Sequence, residues 1–227
     1  MNTTTFPRTP HLFIPPGLDI RDDKVLTRED CTEMLRHELV VEEKVDGANL
    51  GISIDGQGRL EYQNRNHRFS SGGKGQFETL GEWAYRRFES LQRLLSDRYV
   101  LFGEWCYARH SVRYDRLPDY FLGFDVYDRQ EEFFLGTSER DLFFQEVGVQ
   151  GVRRIAEGRF TKDRLIQILM AERSAYADLP IEGMVIRHDA GGRLVSRAKL
   201  VRPDFIQGIS THWSKGRIEI NHLVGEG

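Results

Sequence analysis

Apolar residues recur at near-helical spacing between Phe77 and Leu95, and this pattern predicts one long helix with a buried face. The positions expected to pack into the core are Phe77, Leu80, Trp83, Phe88, Leu91 and Leu95. Two further helices are predicted to begin after Ser138 and Thr161, because serine and threonine commonly cap helix N-termini.

The N-terminal part of the chain shows a different pattern. Residues 1–20 contain four prolines and are predicted to form an extended lead-in. The tetrapeptide Thr27-Arg28-Glu29-Asp30 resembles a capping box and predicts a helix that continues to about His37. A short strand, Leu39 to Glu43, is then expected to lead into a turn at Lys44.

Short apolar or alternating runs predict the remaining strands. These runs are Leu50–Ile54, Arg59–Asn64, Tyr99–Trp105, Tyr120–Tyr127, Glu182–Arg187 and Leu194–Leu200. The first two flank Asp55-Gly56-Gln57-Gly58, which is a hairpin signal. Strands and helices follow one another without regular alternation, so we predict an α+β fold.

Composition sets the class of protein. The 227 residues are 39% hydrophobic and 30% charged, which is typical of a soluble globular protein and predicts a single domain over residues 1–227. No apolar run has the length of a membrane span and no signal-peptide pattern occurs, so no membrane partner is expected. Cys31 and Cys106 form no CxxC pair, which argues against a disulfide framework or zinc site and favours the cytoplasm.

Five short segments carry the candidate chemistry, and they occur in a fixed order. They are Glu43-Lys44-Val45-Asp46-Gly47, Phe102-Gly103-Glu104, Phe124-Asp125-Val126, Ile181 to Arg187 and Arg197 to Val201. Each segment alone is a weak signal, because short motifs arise by chance. Together they resemble the motif set of the covalent nucleotidyltransferases, the superfamily of ATP-dependent ligases and mRNA capping enzymes.

Within that superfamily, the run Phe102 to Ala108 is most similar to RNA ligases of the phage RNA ligase 2 and RNA-editing type. The resemblance covers about residues 40–201. It implies two antiparallel sheets flanked by helices, an ATP-grasp-like ligase fold that encloses the nucleotide. It also implies that Lys44 is the nucleophile, which attacks the α-phosphate of ATP and carries AMP covalently. A surface lysine beside a turn is the alternative for the tetrapeptide alone.

The same resemblance implies nucleotide contacts close to the nucleophile. Glu43, Asp46 and Gly47 belong to its motif, and glycine would let the backbone approach the nucleotide closely. Asp46 departs from phage RNA ligase 2, which has histidine there, and its alternative role is to form the turn. Asn49 is expected at the ribose or a phosphate, and Arg65 at the phosphates or the incoming 5′-phosphate. A turn asparagine and a surface arginine are equally good explanations.

The downstream motifs imply the remaining contacts. Glu104 is expected at the ribose, because a carboxylate accepts hydrogen bonds from hydroxyl groups. Phe124 is expected to stack on adenine, with a core phenylalanine as the alternative. Glu182 resembles the acid that coordinates Mg²⁺ or Mn²⁺, for which only one or two carboxylates are needed. Lys199 resembles the lysine that neutralises the α-phosphate, and Arg197 replaces a second catalytic lysine with different geometry.

These residues predict an ATP-dependent RNA ligase that joins 3′-hydroxyl and 5′-phosphate ends. The rivals are a GTP-dependent capping-type guanylyltransferase, a DNA ligase, and a catalytically silent module that binds nucleic-acid ends. The net charge of −3 neither supports nor excludes RNA or DNA as the partner. Few residues follow Val201, so no complete C-terminal OB or helical domain is expected. End recognition is then expected to come from a protein partner or from the N-terminal segment.

Overall fold

The computed structural model describes residues 5–17, 24–65, 67–69, 75–207 and 218–225. Its helices are α1 (Arg28–Met34), α2 (Leu80–Tyr85), α3 (Phe88–Leu95), α4 (Thr137–Val147), α5 (Lys162–Ala171) and α6 (Pro203–Gln207). Its strands are β1 (Leu39–Lys44), β2 (Ala48–Ile54), β3 (Leu60–Gln63), β4 (Arg68–Phe69), β5 (Tyr99–Trp105), β6 (Phe121–Asp128), β7 (Phe133–Phe134), β8 (Gln150–Gly151), β9 (Arg154–Gly158), β10 (Gly183–Ala190) and β11 (Arg193–Val201).

The described strands form two sheets. Sheet A has the order β11-β10-β1-β9, and sheet B has the order β4-β3-β2-β5-β6-β7, with β8 added parallel to β6. The other neighbours are antiparallel. The chain passes from sheet A to sheet B directly after Lys44, so the predicted nucleophile lies where the two sheets meet. The predicted α+β fold of antiparallel sheets is confirmed.

Helices cover the outer face of each sheet. On sheet B, the helix residues Leu80, Trp83, Leu91 and Phe144 pack against strand residues of its outer face. Sheet A is covered by α1 and α5, whose buried residues meet Val41 and other strand residues. A third cluster joins Val45 to the loop between β5 and β6. The inner faces of the two sheets are therefore left to line a cavity.

Most predicted strands and hairpins are confirmed, but one helix prediction is wrong. The stretch from Phe77 to Leu95 is split into a short 3₁₀ turn, α2 and α3. Arg87 explains the break, because its guanidinium lies over the Trp83 ring and donates to Asp119 at 2.6 Å. The predicted core of this stretch is buried except Phe88, which is half-buried.

The helix starts were predicted with mixed success. Thr27 caps α1 by accepting from the Asp30 amide at 3.0 Å, and Thr161 caps α5 in the same way. Helix α1 ends at Met34, before the predicted end at His37. Ser138 is not a cap, because α4 begins at Thr137 after an extended Gly136.

The N-terminal lead-in is described from residue 5 to residue 17, and its remaining residues lie outside the described ranges. The backbone of Lys199 donates to Pro10 at 2.8 Å and accepts from Leu12 at 2.9 Å. This segment therefore runs beside β11 at the edge of sheet A. None of the helices within the described ranges combines the length and apolar character needed to cross a membrane.

Candidate active site

Alternate residues of three neighbouring strands in sheet A line one cavity. Strand residues two apart share a face, and the register places Lys44 opposite Gly183 and Val185 opposite both Glu42 and Lys199. The side of sheet A that lines the cavity carries Glu42, Lys44, Val185, Arg187, Arg197 and Lys199. This wall thus carries four cations, one carboxylate and one apolar side chain.

Sheet B supplies the opposite wall. Asn49 on β2 pairs in register with Glu104 on β5, and Phe124 comes from β6. Arg65 follows β3 and is exposed at the cavity edge. The cavity between the sheets has a volume of about 370 Å³. Ten of the predicted site residues line it: Glu43, Lys44, Asp46, Gly47, Asn49, Arg65, Glu104, Phe124, Arg197 and Lys199.

Glu182 is the one predicted site residue that does not line this cavity, and its carboxylate contacts Lys44. Lys44 Nζ donates to Glu182 Oε1 at 2.5 Å, with the lysine side chain 24% exposed. Burial lowers the pKa of Lys44, but the carboxylates of Glu182 and Asp46 outweigh burial and raise this pKa overall. The amine is therefore held in its protonated form by its ion pair.

Glu104 lies near the same charged groups, but the neighbouring cations do not offset the effect of its burial. Burial raises the pKa of its carboxyl from 4.5 to about 8, against the opposing effect of Lys44. Its Oε2 atom is buried and has no hydrogen-bond partner among the described residues. An unpaired buried acceptor of this kind is suited to receive a hydroxyl group of a ligand.

This shift predicts a pH-dependent effect of Glu104→Gln on stability. A raised folded-state pKa stabilises the fold fully below pH 4.5, and the contribution is lost as pH rises through 8. Glutamine has no proton to lose, so the stability of the variant should increase relative to that of the wild type as pH rises. We expect its melting temperature to exceed that of wild type by more than about 3 °C at about pH 9, and the difference to shrink toward about pH 5. Thermal unfolding of nucleotide-free protein across pH measures this, and a pH-independent difference would contradict it.

The turn after the nucleophile is fixed on both sides. A Cβ atom added to Gly47 would lie 2.7 Å from the carbonyl oxygen of Trp105, so glycine is needed for packing against β5. Asp46 accepts hydrogen bonds from the amide and hydroxyl of Ser111. Its own amide donates to the hydroxyl of Tyr114 at 2.9 Å. Sequence reasoning missed Ser111 and Tyr114, because neither residue belongs to any of the motifs.

Glu43 lines the cavity, but its carboxylate is bound elsewhere. The side chain is 2% exposed and pairs with Arg153 at 3.0 Å. It also accepts from the amide of Ala175 at 3.1 Å. This follows from strand alternation, because the neighbours of Lys44 on β1 point to the opposite face.

A buried ion cluster forms part of the cavity lining. It contains two carboxylates and three guanidinium groups, those of Glu42, Asp125, Arg140, Arg187 and Arg197. Arg187 pairs with Asp125 at 2.8 Å, and Arg140 pairs with Glu42 at 2.6 Å. Arg197 also binds Asp125, so its charge is already engaged by a carboxylate. The sequence motifs pointed to Asp125 and Arg197 but not to Glu42 or Arg140.

Phe6 is a cavity residue that the motifs missed. Its ring centroid lies 4.9 Å from that of Phe124, in an edge-to-face arrangement, and 5.1 Å from that of Phe102. The guanidinium of Arg197 lies 4.0 Å above the Phe6 ring. The N-terminal segment therefore closes the side of the cavity that carries Phe124. Phe6 is 38 positions before Lys44, and no local pattern marks it.

The donor set fits a hard divalent cation that keeps most of its water. Glu182 Oε2 and Glu104 Oε2 are buried oxygens without hydrogen-bond partners in the described part of the chain. Mg²⁺ and Mn²⁺ prefer oxygen ligands and often use one or two carboxylates. Among the described residues, no group of three or more His, Cys, Asp or Glu side chains could hold a metal alone. The residues thus suit an ion shared with a phosphate ligand.

A family model described as RNA ligase matches residues 37–201. The chain belongs to the RNA ligase family. All eleven predicted site residues fall inside the matched range, whereas Phe6 lies outside it. The resemblance drawn from the five motifs is confirmed at the level of this family. No match was found among the curated proteins.

Solved structures of an RNA ligase from Naegleria gruberi are similar to this RNA ligase family member. The structure with PPi has a TM-score of 0.62 and 18% identity, and covers 91% of this chain and 62% of that one. A mutant with ATP and Mn has a TM-score of 0.61 and 16% identity, and the match covers 88% of this chain and 61% of that one. A mutant with AMP and Mn has a TM-score of 0.59 and 16% identity, and the match covers 91% of this chain and 64% of that one. The chain therefore shares their fold and spans less than two thirds of their length.

Proposed function

We propose that this chain is the adenylation domain of an ATP-dependent RNA ligase, in which Lys44 carries AMP as a covalent intermediate. The observation that carries the proposal is the position of Lys44. Its amine lies at a cavity whose walls hold an aromatic ring, a carboxylate with an unpaired oxygen, and cations. Membership of the RNA ligase family supports the same activity. We propose residues 1–227 as a single domain of this kind.

The cavity residues suit the parts of ATP in turn. Phe124 and Val185 offer an aromatic and an apolar surface for the base. Glu104 and Asn49 are adjacent across two strands and are assigned to the ribose. Phosphates are assigned to the cationic side chains of Arg65 and Lys199, which also line the cavity. The cofactor-binding roles of Glu43, Asp46 and Gly47 are assigned to the backbone of the nucleophile turn, because the two carboxylates are bound to Arg153 and Ser111.

The divalent cation is assigned to the carboxylate of Glu182, with Glu104 close to the same position. When bound, Mg²⁺ or Mn²⁺ would supply positive charge beside the carboxylates that raise the pKa of Lys44. Within the chain, Glu182 Oε1 accepts a hydrogen bond from Lys44 Nζ at 2.5 Å. Release of this ion pair frees the amine to lose its proton and act as a nucleophile.

The chemistry then proceeds in three transfers. Lys44 Nζ attacks the α-phosphorus of ATP, an N–P bond forms, and the bond to the β-phosphate breaks so that pyrophosphate leaves. An oxygen of the 5′-phosphate end next attacks the same phosphorus and releases Lys44. A 3′-hydroxyl finally attacks the activated 5′-phosphorus and releases AMP. Lys199 stabilises negative charge on the α-phosphate, and Arg197 supports this wall through Asp125 and Phe6.

Covalent labelling tests this proposal. Wild-type protein is first treated with pyrophosphate to remove bound AMP, and is then incubated with α-³²P-labelled ATP or GTP and Mg²⁺ or Mn²⁺. We expect denaturation-resistant label from ATP alone, followed by sealing of RNA ends with 5′-phosphate and 3′-hydroxyl groups. Labelling by GTP would instead indicate a guanylyltransferase, and sealing of DNA alone a DNA ligase. If folded protein takes no label from either nucleotide, the result would instead support a catalytically silent module that binds nucleic-acid ends.

The remaining partners follow from the same proposal. RNA ends are the substrate, which the family match supports, and a protein partner for end recognition is part of the same proposal. A cytoplasmic location belongs to the same proposal, and it is supported by Cys31 and Cys106, which are both buried and form no disulfide with each other.

A further inference from the structure

The loop between β5 and β6 contacts Asp46 of the nucleophile turn through two residues, Ser111 and Tyr114. Asp46 Oδ2 accepts from the backbone amide of Ser111 at 2.8 Å and also from its hydroxyl. Tyr114, three residues further along the loop, accepts from the Asp46 amide at 2.9 Å. Asp46 is two positions after Lys44, so these bonds act on the turn that carries the nucleophile.

The loop is itself held by the described segment 218–225. Asn221 is fully buried, and its side-chain amide donates to the carbonyl of Cys106 at 2.8 Å. Its side-chain oxygen accepts from the Tyr114 amide at 2.9 Å. Backbone bonds add to this, with His222 donating to Tyr114 at 3.0 Å. The loop therefore has a defined conformation in which Ser111 is presented at the surface beside the turn.

Every residue of the nucleophile turn is consequently fixed. Val45 is buried in the cluster that includes Tyr114, Asp46 is tethered to Ser111, and Gly47 packs against β5. With the backbone fixed, only the flexible side chain of Lys44 has to move from Glu182 to the phosphate. Without these hydrogen bonds, the Asp46 carboxylate would be free to rotate toward Lys44. It would then attract the amine away from the direction of attack on the α-phosphorus.

We propose that Ser111 is a positioning residue for the adenylation step, which acts by holding the Asp46 carboxylate on the loop. This inference rests on the proposed function. Ser111 touches neither the cavity nor Lys44, so its effect must pass through Asp46. Small misplacements of a reacting group are costly, on the order of 10²-fold in rate for about 1 Å.

The test is single-turnover adenylation at a series of ATP concentrations, with Ser111→Ala, Ser111→Thr and Ser90→Ala. We expect Ser111→Ala to lower the maximal rate about 10- to 100-fold, while the ATP concentration at half-maximal rate changes less than about 3-fold. Ser111→Thr keeps the hydroxyl and should restore most of the rate. Ser90 is the control, because its hydroxyl donates to the carbonyls of Arg87 and Val147 and Ser90 does not line the cavity.

A double-mutant cycle with Asp46→Asn separates positioning from a general structural effect. If Ser111 acts through the charged carboxylate, Ser111→Ala should slow the Asp46→Asn protein less than about 3-fold. Equal fold-losses in both backgrounds, or no rescue by threonine, would overturn the proposal. Melting temperatures are measured alongside, and rates are taken where all variants are folded. Failure of wild type to take label would count against the proposed function and not against Ser111.

Discussion

Lys44→Ala is expected to abolish covalent labelling by ATP, with a loss of at least about 10³-fold relative to wild type. The reason is chemical, since the proposed mechanism forms the N–P bond of the intermediate at Lys44 Nζ and alanine offers no nucleophile. Labelling with α-³²P ATP, followed by denaturing gel electrophoresis, measures the effect. The loss should be in the rate and extent of labelling and not in folding, because the Lys44 side chain is 24% exposed.

Two further variants sharpen this result. Lys162→Ala is the matched control, because Lys162 is an exposed lysine at the start of α5, and it should label like wild type. Lys44→Arg keeps the charge beside Glu182 but cannot be deprotonated, and it should fail as completely as alanine. Label retained by Lys44→Ala at the wild-type level would place the covalent bond on another residue and remove the basis of the proposed function.

The strands of the site were predictable from sequence because they depend on local pattern. The runs Tyr99–Trp105 and Leu194–Leu200 were predicted to within one residue at each end, since the first is a buried, mostly apolar segment and the second has small or apolar side chains at alternate positions. The motifs lie at the ends and inner faces of these strands. For this reason the predicted site residues other than Glu182, which are up to 156 positions apart in the chain, come together around one cavity.

What sequence could not predict depends on long-range geometry. Phe6 reaches the cavity because the N-terminal segment pairs with β11, a contact between residues almost 190 positions apart. Ser111 meets Asp46 through a loop whose conformation depends on Asn221 near the end of the chain. The split of the predicted helix before Phe88 likewise depends on Asp119, which binds Arg87. No periodicity within one segment reports such contacts.

The largest expected effect on stability belongs to Asp125. This carboxylate is 1% exposed and binds Arg187 at 2.8 Å together with Arg197. It joins β6 of sheet B to β10 and β11 of sheet A, so it helps to hold the two walls of the cavity together. Glu42 is the other carboxylate of the cluster, and it is already paired with Arg140 at 2.6 Å.

Asp125→Asn should therefore lower the free energy of unfolding by about 3–5 kcal/mol, because it leaves buried guanidinium groups without a counter-charge. Urea unfolding at neutral pH measures the loss. Asp141→Asn is the matched control, since Asp141 also pairs with Arg140, at 2.7 Å, but its side chain is 37% exposed. Solvent screens such a pair, so the control should lose less than about 1 kcal/mol.

A second substitution decides whether the loss comes from the uncompensated cations. Arg197→Met in the Asp125→Asn background removes one of the two guanidinium groups that Asp125 binds and keeps an apolar chain against Phe6. We expect this double variant to be more stable than Asp125→Asn alone, because fewer buried charges then lack a partner. If the second substitution lowers stability further, the cluster acts through the packing of Arg197 on its aromatic neighbours, and the charge argument fails.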